Sequence, residues 1–345
     1  MFNFNLTGTS AKNVNNNRFH FLSGFFSDNY NYEVVNIYSS SCKNKDIKEI
    51  RIPSTELALL RLVNWNFFSL YFILKYKPKL ILLNYHNFAD FGILLGGWLV
   101  GSRVIIDVWD MWPYNYYGKY RFLNLFNSFF KSFDRLVYRN CMFCLYTVQS
   151  LKSDLDNLGV RSFFINNLVS KENFKNRESM RFDEIKLYDK SKRYIYSGSI
   201  GYFNAIPELK EIFLNILKDE NSVIVFIGNI SDINKLNICH PNLIVLNGFI
   251  PFTKLLGLLE NFQYGILTFN ASTLHYGFSS SKFSLYRVCG LKVISNFEID
   301  EEFYLFGKRK YSNKILDNSL FLYESHTEYL KTFIDAVFES SSPYG

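Results

Sequence analysis

Several short stretches of this chain carry residue types that could bind an anion or move a proton. The most specific is Ser279-Ser280-Ser281-Lys282, followed by Phe-Ser-Leu-Tyr286 and then by Val288-Cys-Gly-Leu-Lys-Val-Ile-Ser295. Three hydroxyls and an ammonium stand where a loop enters a helix, and a small-residue turn at Gly290 leads on into a buried strand. Backbone N–H groups at a helix start, together with a lysine, can neutralise a diphosphate. A plain helix cap with one surface lysine is the alternative. A second stretch, Ser197-Gly198-Ser199-Ile200-Gly201, lies between a strand at 194–197 and a helix at 205–218. Its glycines let backbone amides approach an anion, or make a tight turn and nothing more. The spacing is not the G-x-G-x-x-G of a dinucleotide site. In the first half, Tyr85-His86-Asn87 follows a strand at 79–84, and Asp107 and Asp110 bracket the end of the next one. His86 or Asp110 could orient or deprotonate a substrate hydroxyl; a hydrogen-bonded loop histidine and a turn aspartate are the plainer readings. No spacing of His, Cys, Asp and Glu resembles a metal site, and Cys141-Met-Phe-Cys144 is a single CxxC without a second pair.

These loops need elements to position them. In the first half, apolar runs at 33–38, 79–84, 103–108, 144–148 and 162–165 alternate with helical stretches, after an opening strand at 2–6. One helix, 120–140, carries Phe122, Leu125, Phe126, Phe129, Phe130, Phe133, Leu136 and Val137 at three- and four-residue steps. Residues 173–192 are polar and lack apolar periodicity, which predicts a linker. The alternation restarts with strands at 194–197, 223–227, 243–246, 265–269 and 292–295. Helix 205–218 between the first two has Pro207 in its first turn. Ser325-His-Thr-Glu328 has capping-box spacing ahead of a last helix. Continuous apolar strands separated by helices predict parallel sheets covered on both faces. The expected architecture is α/β: a Rossmann-like domain over 1–172, a linker over 173–192, a second Rossmann-like domain over 193–322, and a C-terminal helix and tail over 323–345. Ligands of such sheets bind beyond the carboxyl ends of the strands, where the loops above lie.

Composition bounds the partners. The 345 residues are 48% hydrophobic and 20% charged, enough for packed cores and too apolar for a disordered chain. No apolar run reaches the ~20 residues of a membrane-spanning helix, and the N-terminus lacks the pattern of a signal peptide. Five scattered cysteines fit a reduced compartment. Residues 1–170 hold 18 Lys and Arg against 11 Asp and Glu, while 171–345 hold 20 against 20, so the whole +7 net charge lies in the first half. A basic half invites an anionic surface or ligand.

The chain from Ser279 to Ser295 resembles the donor-binding signature of GT-B glycosyltransferases, in which a Pro-Ser-Lys run opens a helix and an Ala-Ala-Gly-x-Pro-Val-Ile-like run closes it. Residues 194–201 are similar to the glycine loop of their nucleotide domain. Val223-Ile-Val-Phe-Ile-Gly228 resembles its second strand. Asn242–Pro251, with Gly248, Phe249 and Ile250, resembles the strand and turn whose backbone meets the nucleobase. In the first half, Val108-Trp109-Asp110-Met-Trp112-Pro113 is similar to the Arg-Asp-Leu-Trp-Pro run of bacterial polysaccharide glycosyltransferases in retaining family four. The sequence departs from that pattern at Leu285, where relatives have a donor-contacting Glu, and at Ser280 and Lys292, where they have Pro. Trp109 stands in place of a His or Arg.

The resemblance implies two Rossmann-like domains facing across a cleft and a metal-independent glycosyltransferase without a cofactor. The donor is a UDP-, GDP- or dTDP-linked sugar. The acceptor is a glycan on a polyprenyl diphosphate, in the assembly of bacterial surface polysaccharide such as O-antigen or capsule. Donor contacts are expected from Gly198, Ser199, Gly201, Asn204, Gly248, Phe249, Ile250, Ser279, Ser280, Ser281, Lys282 and Tyr286. Gly8, Thr9, Trp109 and Trp112 fall on the acceptor side, and Asp110, His86 and Lys282 are the catalytic candidates. If configuration is retained, the leaving phosphate can take the acceptor proton; if it inverts, Asp110 or His86 must. The basic first domain, with its aromatic helices, is expected to dock on the inner face of the cell membrane, and nucleic acid is not an expected partner. A non-catalytic GT-B protein binding a nucleotide sugar or a partner, and a nucleotide-sugar 2-epimerase, are the other readings.

Overall fold

A computed structural model describes residues 1–5, 15–38, 49–51, 58–109, 114, 121–178, 191–271, 274, 280–306 and 317–340. They divide into two compact units, Met1–Asn166 with His326–Gly345, and Asn167–His275 with Ser280–Ser325. In the first unit the strands are β1 (Phe2–Asn5), β2 (Val35–Tyr38), β3 (Glu49–Arg51), β4 (Leu80–Asn84), β5 (Arg103–Val108), β6 (Phe143–Tyr146) and β7 (Ser162–Phe164). The helices are α1 (Asn15–Tyr30), α2 (Ala58–Tyr76), α3 (Phe91–Val100), α4 (Asn127–Asn140) and α5 (Leu151–Asn157). The strands pair in parallel in the order β3-β2-β1-β4-β5-β6-β7. All of β4 and all of β5 beyond Arg103 are buried, as strands covered on both faces must be. Helix α2 lies backbone to backbone with α3: a Cβ added to Gly92 would sit 2.3 Å from the Asn66 carbonyl oxygen. The Asn66 side chain bridges the two by accepting from Gly92 N and donating to Ala89 O.

The second unit contains α6 (Lys171–Lys175), β8 (Lys192–Ser197), α7 (Ile206–Leu217), β9 (Ser222–Gly228), α8 (Ile230–Ile233), β10 (Leu243–Asn247), α9 (Phe252–Leu259), β11 (Tyr264–Leu267), α10 (Ser281–Val288), β12 (Lys292–Ser295) and α11 (Glu301–Phe306). Its parallel sheet runs β10-β9-β8-β11-β12. The order reverses between β8 and β11, as it does between β1 and β4 in the first unit, so the loops after these strands flank a switch point. Leu209, Phe213 and Leu217 bury one face of α7 on this sheet, which is the face its sequence periodicity marks. The last helix, α12 (Thr327–Ser340), belongs to the first unit. Its Phe333 ring packs on Phe143 and Phe163, and Tyr30 donates to Asp335 at 2.8 Å.

The structure departs from sequence expectation in four places. The three-residue strand β3 carries no apolar run and was not expected. Residues 121–126 form a 3-10 turn ahead of α4. Of the apolar stripe over 120–140, only Phe133 and Val137 are buried, while Phe122, Leu125, Phe126, Phe129 and Leu136 are exposed. The stripe exceeds what one helix can press onto one sheet face, so its outer part faces away from the core. Ser325 does not cap the last helix; it lies in a 3-10 turn and its hydroxyl donates to Ser319 O.

Candidate functional site

In the second unit a glycine stands at or directly after the carboxyl end of each of three neighbouring strands. Gly198 follows β8 with φ +108°, Gly228 closes β9, and Gly248 follows β10 with φ +112°. The two positive φ values lie where only glycine is at ease. The glycines also touch: Gly198 N donates to Ile227 O at 2.7 Å, Gly248 N donates to Gly228 O at 2.9 Å, and a Cβ on Gly228 would fall 2.7 Å from Gly198 O. A shelf of bare backbone results, with Phe249 projecting from its far end at 63% exposure.

Lys282 reaches this shelf from the first turn of α10. A Cβ on Gly198 would meet its Cε at 3.0 Å and its Nζ at 3.2 Å. The ammonium donates to Tyr196 Oη at 3.4 Å and lies 4.5 Å from the centre of that ring. Among the described residues no carboxylate lies within ion-pair distance of it; Asp232 acts only at longer range and pairs with Lys235. Burial pushes the Lys282 pKa down to about 8. A cation held on glycine backbone without a carboxylate partner among the described residues suits an anionic ligand.

The remaining donor-side candidates fall into two groups. Asn204 binds the glycine loop to itself: its Oδ1 accepts from Gly201 N at 2.8 Å, and its Nδ2 donates to Tyr196 Oη and Thr268 O. Tyr196 in turn donates to Ser199 O at 3.0 Å. Ser199 is exposed, and Ser280, Ser281 and Ile250 are half-buried. Ser280 precedes the helix in extended conformation and makes no side-chain cap. Tyr286 is enclosed in the core instead. Its ring fills the space where Gly265 has no side chain, and its hydroxyl contacts Ser197 N at 3.1 Å and Oγ at 3.2 Å. It supports the loop from beneath, one helical turn below Lys282 on the same face. Leu285 is also buried. The sequence reading missed Tyr196, which carries both the lysine and the loop, and Gly228, whose signal was its place at the end of the apolar run 223–227.

In the first unit two buried networks surround the ends of β4 and β5. Arg18, fully buried, forms a bidentate ion pair with Asp107 and also donates to Ile165 O. Trp109 Nε1 donates to the same carboxylate at 2.5 Å, so this acceptor-side candidate is 7% exposed and tied into the core. The other network centres on Asp134 of α4, whose carboxylate accepts from Tyr85 at 2.6 Å, from Tyr114 at 2.5 Å and from Asn87. Burial raises its pKa to about 6 against the pull of those three donors. His86, between Tyr85 and Asn87, is partly exposed and lies beside Asp90. Gly8, Thr9, Asp110, Trp112 and Ser279 lie outside the described residues. Burial pushes the Cys141 thiol up to about 12 and the Cys144 thiol up as well.

No protein-family model matches the sequence, and no curated protein matches it significantly. Solved structures do. A candidate UDP-N-acetylglucosamine 2-epimerase from Listeria monocytogenes superposes with a TM-score of 0.59 at 11% identity, over 100% of this chain and 92% of that one. Sucrose-phosphate synthase from Thermosynechococcus elongatus gives 0.61 at 11%, over 85% and 80%. WaaG, a glycosyltransferase involved in lipopolysaccharide biosynthesis, gives 0.57 at 10%, over 86% and 80%. The chain has the GT-B fold. At these identities the GT-B likeness fixes the architecture of two Rossmann-like units, and the chemistry has to be argued from the residues.

Proposed function

We propose that the protein is a glycosyltransferase whose second unit holds a nucleotide sugar by its diphosphate. The observation that carries this reading is the Lys282 ammonium, set on the Gly198 backbone at a sheet switch point without a carboxylate partner among the described residues. As the glycosidic bond breaks, negative charge grows on the nucleoside diphosphate, and Lys282 with the Gly198–Gly201 amides is placed to meet it. This arrangement supplies positive charge without a metal ion, and no metal is proposed. HepE of Anabaena, a structure of the same fold with a TM-score of 0.56 at 10% identity, was solved with UDP and glucose, which supports a uridine nucleotide as the first donor to test.

The acceptor is proposed to be a glycan on a polyprenyl diphosphate in bacterial surface polysaccharide assembly. The support is the first unit's surface. Exposed Phe88 stacks on Phe91 at 5.4 Å and meets Phe129 edge-on at 5.6 Å, and α4 beside them carries exposed Lys131, Arg135 and Arg139. Helix α2 exposes Phe67, Tyr71 and Tyr76 next to Lys75. No described helix is long and apolar enough to cross a membrane; basic and aromatic side chains together suit docking on an anionic leaflet, where a lipid-linked acceptor keeps its sugar. Incubation with UDP-, GDP- and dTDP-sugars tests the donor assignment, with thermal stability as the first readout and product analysis as the second. A donor that raises the melting temperature and is consumed only with acceptor supports transfer. Consumption without acceptor, yielding an isomerised sugar, would mark an epimerase instead.

A further inference from the structure

We infer that the Tyr196 ring stands in for the counter-ion of Lys282, holding the ammonium on the glycine shelf while leaving its charge open to an anion. The inference rests on the transferase reading for the identity of that anion, a diphosphate, and on the second unit alone for everything else. Tyr196 is the penultimate residue of β8 and is fully buried. It pairs with Phe226 of β9 in parallel register, and the two rings stack at 5.7 Å with 14° between their planes. Phe213 of α7 meets the same ring edge-on at 6.3 Å. A ring enclosed in this way is a fixed surface, and α10 brings the lysine to it. The helix is tied to the end of β8 through Tyr286, whose hydroxyl contacts Ser197 N at 3.1 Å. Gly198 leaves room for the lysine stem, since a Cβ there would stand 3.0 Å from Lys282 Cε.

Lys282 Nζ lies 4.5 Å from the centre of the Tyr196 ring and 3.4 Å from its Oη. The negative face of an aromatic ring attracts a cation, but it has no lone pair with which to form a charge-assisted bond. An incoming diphosphate would have to displace a carboxylate from that place, whereas the ring does not compete with it. The hydroxyl has a separate role. It donates to Ser199 O at 3.0 Å and accepts from Asn204 Nδ2 at 3.1 Å, while Asn204 Oδ1 accepts from Gly201 N at 2.8 Å. With the Lys282 contact added, the hydroxyl donates once and accepts twice, which is its full capacity. The face of Tyr196 therefore places the cation, and its hydroxyl places the glycine loop beside it. Tyr196 is a positioning residue, acting on the ligand through Lys282.

The test is the ring-current shift of the lysine, read by proton–carbon correlation at neutral pH on protein labelled with carbon-13 lysine. Lys282→Met assigns the signal. In the ligand-free wild-type protein the Lys282 ε-methylene protons are expected upfield of the ordinary lysine position, because the end of the side chain lies over an aromatic face. Tyr196→Phe should keep that shift and Tyr196→Leu should lose it. A wild-type signal at the ordinary position overturns the inference without any variant having to fold. A merely structural tyrosine would leave the lysine signal unmoved in both variants. Titration with UDP is the second readout. Tyr196→Phe, which loses only the tie to the loop, should weaken UDP about threefold, and Tyr196→Leu about tenfold or more. Equal UDP affinity in Tyr196→Leu and the wild-type protein overturns the positioning role. An upfield signal in a protein that binds no UDP supports the placement of the cation and counts against the transferase reading alone.

Discussion

Lys282 is costly to its own fold. Its pKa of about 8 lies below the 10.5 of an unfolded lysine, so fewer protons are bound on folding between those values. The ammonium therefore opposes folding most at pH below about 8, and the opposition fades as pH rises toward 10.5. Lys282→Met should accordingly raise the melting temperature of the ligand-free protein at neutral pH while abolishing the stabilisation by nucleotide. A fall in both would mean that the lysine is structural. Lys282→Ala removes charge stabilisation of the leaving group and should lower kcat roughly 10²–10³-fold. Donor affinity should also weaken as pH rises through the lysine's titration, at a midpoint above 8 because the bound anion favours the charged form. Isothermal titration across alkaline pH measures this. Asn204→Ala should weaken donor binding less than Lys282→Ala, since Asn204 shapes the loop through Gly201 N and Tyr196 without bringing charge.

At the scale of elements, the turn after β4 depends on α4 through one carboxylate. Asp134→Ala removes the carboxylate that accepts from the Tyr85 and Tyr114 hydroxyls and from the Asn87 amide, of which the amide keeps Phe130 O, which should cost about 2–4 kcal/mol in urea unfolding. Burial raises the folded pKa of Asp134 to about 6, above the 3.8 of the unfolded chain. The native state then binds more protons between these values, and the stability Asp134 contributes is greatest below 3.8 and is lost as pH rises through 6. The Asp134→Ala penalty should be larger at pH 5 than at pH 7.5. What the sequence disclosed of such elements follows from their chemistry. β9 was legible because residues 222–227 are wholly buried and almost wholly apolar. β3 was not, because Glu49-Ile-Arg51 is three residues long and has one apolar side chain. Periodicity over 120–140 identified a helix but not what covers it, and half the stripe faces outward. Lys282 and Tyr286 stood in the same motif, yet only the packed helix separates a ligand-facing lysine from a core tyrosine beneath it. The Asp90–His86 pair joins neighbours within a turn and the Asp134–Tyr85 pair joins a helix to that turn, and nothing in their spacing announced which carboxylate meets which group.

For the whole molecule, the charge excess of the first half coincides with a surface that exposes both aromatic and basic side chains. Leu125 is 83% and Phe67 64% exposed, an unusual state for large apolar groups unless something covers them. Vesicles with anionic headgroups should pellet the protein at low salt, and neutral vesicles should not. Replacing Lys131, Arg135 and Arg139 together with Ala removes three basic residues worth about 1 kcal/mol each, a roughly 10²-fold weaker partition. Equal and negligible binding to both vesicle types would remove the support for a lipid-linked acceptor, while the donor site would stand.

The donor site is the central claim, and a calorimetric titration of the protein with UDP and with UDP-, GDP- and dTDP-sugars, with and without EDTA, tests it most directly. At least one of these should bind equally well in both conditions, raise stability by about 2.7 kcal/mol at a hundredfold excess over Kd, and lose its binding in Lys282→Ala. Absence of binding to all of them, binding that vanishes with EDTA, or binding untouched by Lys282→Ala would contradict the account.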